Sequence, residues 1–228
     1  MRKKFVYLVV LGSVITSGCG LFLKSAGQKS AEDLSKGLLT VTDMPKGWEE
    51  TQRQVFDTRG NENPSIDPST WCKEAAGDSA GLVALAGESG ADVEMNWTKG
   101  TGPRMMRLQA WSNKDASSYF VGAEKSAEVC DGVTMTDASG VTTETHLITG
   151  RSIGDQSVSW SEKTTPPASI IKGKFESVGR TTVARFGKTI MVLQLGDAAP
   201  AGSASLMPED EWWAIVTMAA DKLEKVAK

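Results

Sequence analysis

The chain has 228 residues, with 25 Lys and Arg against 28 Asp and Glu, a single His, three Cys and seven Trp. A formal charge of −3 excludes the basic footprint of a nucleic-acid binder, and no nucleic acid is expected as a partner. One His and three Cys exclude a multi-His or four-thiolate metal centre; no metal and no cofactor are expected.

The first residues, MRKKFVYLVVLGSVITSGCG, join a basic start (Arg2, Lys3, Lys4) to an apolar run from Phe5 to Ile15. That run has the length of a signal-peptide core and is too short to span hydrocarbon. Small residues Ser17 and Gly18 precede Cys19, and this arrangement resembles the lipobox of bacterial lipoproteins, with Thr16 where Leu is usual. The resemblance implies a signal peptide over residues 1–18 and a diacylglyceryl anchor on Cys19, which would tether the chain to the outer face of the cell membrane. Two acyl chains suffice for stable anchoring. Cleavage would remove three cations and leave an acidic mature protein of formal charge −6. With Cys19 lipidated, Cys72 and Cys130 remain, an even number in an oxidising compartment. A Cys72–Cys130 disulfide is expected there; two free thiols are the alternative.

Residues 19–32 read as the lipidated cysteine and a flexible tether. Ser30-Ala-Glu-Asp33 has the form of a capping box, with Leu34 and Leu38 a turn apart. Pro45 and Gly47 end this helix-bearing stretch, and Trp48 begins an extended one. A second helix is predicted from Asp67, with Pro68 in its first turn, to Gly77, carrying Trp71 and Cys72. Val93, Met95 and Trp97 alternate with polar residues, as do Met106, Leu108 and Ala110 beyond the Lys99–Pro103 turn, predicting an antiparallel hairpin with one apolar and one mixed face. Asn113 is a predicted cap for a helix whose Ala116, Phe120, Ala123 and Ala127 form a stripe ending near Cys130. Strands are predicted near residues 141–149, 156–163, 175–185 and 188–196, with Gly187 at the last hairpin turn. A closing helix from about Pro208 to Val226 has an acidic first turn and lysines near its end, as the macrodipole favours. The pattern predicts a single α+β domain over residues 33–228, an antiparallel sheet of about six strands flanked by helices.

The Leu38-Leu39 block, Asp43-Met-Pro-Lys-Gly-Trp48, the helices bearing Cys72 and Cys130, Gly154-Asp-Gln-Ser-Val158 and the strands around Arg180–Arg185 and Thr189–Leu193 together resemble actinobacterial sensor-domain lipoproteins. These are related to the PknH-like extracellular sensor domain of mycobacterial Ser/Thr kinases. The resemblance implies helices around a cleft, disulfide bonding and a ligand-sensing role.

Gly77-Asp-Ser-Ala-Gly81 fits the G-x-S-x-G elbow of some hydrolases. That chemistry needs a strained strand-to-helix turn and a His base. Here Ser79 follows a helical pattern, and the one His, His146, falls in a predicted strand. The motif reads as a loop and the chain as a non-enzyme. Glu94, Asn96, Arg107, Gln109 and Trp111, on the mixed face of the first hairpin, are the candidate ligand-binding residues. An aromatic beside a cation and an amide on an open sheet face suits a small ligand. The expected function is a lipid-anchored binding or sensor module for a small envelope molecule or partner protein. The alternatives are an assembly lipoprotein without a small ligand and, last, a hydrolase.

Overall fold

The structure, a computed structural model, describes residues 27–56, 89–99, 104–136, 139–167, 175–200 and 202–228. The proposed signal peptide, Cys19, the predicted helix with Cys72, and Ser79 lie outside the described residues.

Eight strands form one antiparallel sheet: β1 (Trp48–Phe56), β2 (Ser89–Trp97), β3 (Arg104–Ser112), β4 (Thr134–Thr136), β5 (Thr142–Ile148), β6 (Gln156–Thr165), β7 (Phe175–Phe186) and β8 (Thr189–Pro200). Three α-helices accompany them among the described residues: α1 (Ala31–Lys36), α2 (Ala116–Cys130) and α3 (Glu209–Ala227). The strand order is β1-β2-β3-β8-β7-β6-β5-β4. After the β1–β3 meander the chain crosses through α2 to the far edge. It then returns strand by strand until β8 fills the gap beside β3.

The domain is mostly β, and eight strands replace the expected six. The two added strands, β1 and β4, lack the signature on which sequence reading depends. In β1, one residue in nine is fully buried, and a register shift between Glu50 and Gln52 breaks its alternation. β4 has three residues.

Each face of the sheet carries its own core. On one face, Leu34 of α1 and Leu38 just beyond it, together with Trp212, Val216 and Leu223 of α3, pack on Val93, Leu108, Met191 and Leu193. On the other, Phe120, Ala123 and Ala127 of α2 pack on Val158, Val183, Ile190 and Val192. Central β8 is therefore buried on both sides. This is why Thr189-Ile-Met-Val-Leu193 reads as an unbroken apolar run while β2 and β3 alternate.

The ends of the domain are pinned together. Ser30 caps α1 by accepting from the Asp33 N–H at 3.1 Å, and its own hydroxyl donates to the Asp33 carboxylate. The Lys29 N–H donates to Ser112 Oγ at 3.0 Å, and Ser89 Oγ donates to the Lys29 carbonyl. Residues 29–32, expected in the tether, are thus docked on the sheet. Gly37 lies against α3 so closely that a Cβ would stand 2.5 Å from Val226 Cγ2. Lys222 of α3 donates to Asp43, which Thr40 also caps. Burial would raise the Asp43 pKa, but these hydrogen bonds outweigh it and hold the group below its ordinary value. At the start of α2 the N-cap is Asp115; the predicted cap, Asn113, instead accepts from the Asp115 N–H through Oδ1.

Candidate functional site

Strand register sorts the sequence-derived candidates by face. Asp92, Glu94 and Asn96 of β2 stand opposite Gln109, Arg107 and Met105 of β3, on the face that carries α2. Arg107 Nη2 donates to Asp92 Oδ2 at 2.8 Å, and its Nε lies 3.5 Å from Glu94 Oε1. Gln54 of β1 donates to the same Asp92 oxygen at 3.1 Å. The structure therefore joins Glu94 and Arg107 into a charged cluster. Its centre is Asp92, fully buried, which sequence reading missed because that reading began the strand at Val93. Gln109 is buried beside it and Asn96 is exposed.

Trp111 is not on an open face. Its ring is 1% exposed in the α2 core, edge-on to Tyr119 at 5.5 Å between centroids. Alternation placed it correctly on the mixed face; what sequence could not show is that α2 covers that end of the face.

The helix spans the face only in part. Its core contacts lie along the rows of Ile190, of Val192, Val183 and Val158, and of Trp160 and Leu147. Beyond them the face opens into a groove of about 260 Å³ lined by Met105, Glu162, Thr164, Ser177, Gly179, Gly196 and Ala198 among others. Gly179 and Gly196 are directly paired across β7 and β8 and form a floor without side chains. Met105, 55% exposed, and Glu162 stand in register on either side of that pair. One row further in, Arg107 faces Gln194, so the charged cluster adjoins the groove.

Glu162 is half-buried, and Trp160 Nε1 donates to its Oε1 at 2.6 Å. Burial pushes its carboxyl above the ordinary 4.5, and the Trp160 hydrogen bond only partly offsets this. A carboxyl that holds its proton more tightly when folded lowers stability as pH rises from about 4.5 through its folded pKa, with no further change above that. In Glu162→Gln this decline disappears, so the denaturation midpoint falls less between acid and neutral pH than in the unaltered chain. Parallel pH profiles in urea melts would refute the assignment.

The other sequence-derived features find plain roles. His146 is exposed and 2.9 Å from Glu144. Cys130 closes α2 and is 4% exposed. Among the described residues no group of three or more His, Cys, Asp or Glu is placed to hold a metal, and no helix is long and apolar enough to cross a membrane.

No family model matches the chain, and neither does any curated protein. Among solved structures it is similar to the extracellular domain of PknH from Mycobacterium tuberculosis, with a TM-score of 0.54 and 10% identity. The match covers 87% of this chain and 98% of that one. The likeness is one of fold. It accords with the sheet-and-helix arrangement that the sequence resemblance implied.

Proposed function

We propose that the protein is a lipid-anchored extracytoplasmic binding module of the sensor type. In this reading Cys19 carries a diacylglyceryl anchor, Cys72 and Cys130 form a disulfide, and a small envelope ligand occupies the groove beside α2 without being chemically altered. The observation that carries the ligand site is the half-covered sheet face: an apolar half sealed by the helix, and a polar half floored by two paired glycines. Such a floor admits a ligand close to the backbone, while Glu162, Thr164 and Ser177 supply hydrogen-bonding groups around it. The lipobox-like N-terminus supports the location, and the fold shared with an extracellular domain is compatible with it.

Gly196→Leu tests the site, because Gly196 lines the groove and a Cβ there meets nothing closer than the Val178 carbonyl at 3.6 Å. Envelope glycan fragments and soluble metabolites are screened by thermal shift on the purified full chain. The reading expects a compound that raises the melting temperature of the unaltered protein and loses at least about tenfold in affinity against Gly196→Leu. If no compound does so while an envelope protein co-purifies stoichiometrically, the assembly reading replaces it. In the same cells, labelled palmitate is expected on the unaltered chain and absent from Cys19→Ala.

A further inference from the structure

The opposite face of the sheet holds a second cavity, unrelated to the groove. It measures about 380 Å³ and lies between α3 and the outer end of the β1–β3 meander. Its walls are Pro45, Trp48, Trp97, Met207, Ala214, Ile215 and Met218, with two charged residues, Arg104 and Glu211. Trp48, Trp97, Arg104 and Asp197 are successive partners across β1, β2, β3 and β8 and so stand in one row on this face. The two indoles meet edge-on at 5.7 Å, and Gly47, at φ 118°, lets the preceding loop lie against Trp97.

The charges in this row are not matched to each other. Arg104 is half-buried beside aromatic and aliphatic groups, and among the described residues no ion pair or hydrogen bond of its guanidinium is seen. Asp197, directly across the ladder, does not pair with it. Asp197 Oδ2 accepts from the Ser205 N–H at 3.3 Å, and its buried Oδ1 has no partner among the described residues. A guanidinium partly withdrawn from water without a hydrogen-bonded partner is costly, and an incoming anion relieves that cost through charge-assisted hydrogen bonds. Glu211 is exposed at the rim on α3, where it disfavours a second negative charge.

We propose that this cavity binds a small monoanion with a flat or branched apolar body, its acid group on Arg104 and its body between the tryptophans and Ile215 and Met218. The volume suits a ligand of bicyclic size. This site does not depend on the groove across the sheet.

The probes are 1-naphthylacetate and its neutral isostere 1-naphthylacetamide, titrated calorimetrically at neutral pH into the purified full chain. The acid is expected to saturate one site and to bind at least about tenfold tighter than the amide. Arg104→Gln removes that preference while leaving amide affinity within about twofold, since the apolar walls are intact. Ala214→Trp, a change at an exposed helix position that fills the cavity, abolishes binding of both, whereas Gly196→Leu alters neither. Equal affinity for acid and amide, retention of the preference in Arg104→Gln, or unchanged binding in a folded Ala214→Trp protein would each overturn the proposal. So would the absence of saturable heat with the acid.

Discussion

Replacing Trp111 by alanine is expected to cost the domain about 3–5 kcal/mol, the range for emptying an aromatic-sized space in a core. Trp111 closes one end of the α2 core, where Tyr119, Phe120 and Ile190 surround it. The α2 side of the hole is held in place, because α2 is anchored on the sheet by buried residues along its whole length. Trp111→Phe should retain most of that stability. The indole N–H has no hydrogen-bond partner among the described residues, so the smaller ring forfeits packing but gains by removing an unsatisfied donor. Urea unfolding of the two variants separates these effects. If Trp111→Ala lost less than about 1 kcal/mol, the residue would be outside the load of this core and available to a ligand after all.

Arg107→Met is expected to lose about 3 kcal/mol, the lower end of the range for stranding a buried partner, because the Arg107 side chain is itself 37% exposed. What is stranded is Asp92, fully buried and left, among the described residues, with the Gln54 amide as its side-chain partner. Adding Asp92→Asn to Arg107→Met should restore most of the loss, since the burden comes from an uncompensated carboxylate and not from missing contacts. A simple ligand contact would behave differently: Arg107→Met would leave the melting curve unchanged and the double variant would gain nothing. The cluster's position beside the groove means that Arg107 can brace the wall there whether or not it touches what binds.

The two central hairpin strands, the helix ending at Cys130 and the closing helix were legible in the sequence, each for a physical reason. Ala116, Phe120, Ala123 and Ala127 recur at helical spacing because α2 buries one stripe only. Met106, Leu108 and Ala110 alternate because β3 presents one face to α3 and a mixed one to the opposite side. Edge strand β1 was not legible, since a strand with few buried side chains has no pattern to display. The candidate site was read in part. Periodicity identified the polar face and its charged residues, but it carries no record of how far a helix extends over that face. Trp111 and Arg107 are two steps of the same strand alternation apart, yet one falls under α2 and the other beside its margin. The groove floor was missed for a different reason: the predicted hairpin turn at Gly187 sets Gly179 opposite Gly196, but glycines carry no face pattern that marks them as a floor.

The insertion of β8 beside β3 also sets the order in which the chain can be completed. Leu108 meets Leu193 only after nearly all the intervening polypeptide has emerged, and until then β3 exposes a ladder edge rich in Met and Leu. Closure of that seam is a late, long-range event, of the kind that slows folding and leaves sticky edges open in the meantime. The first three strands therefore depend on the last strand, which pairs with their open edge, and on the last helix, which covers their apolar face, for protection.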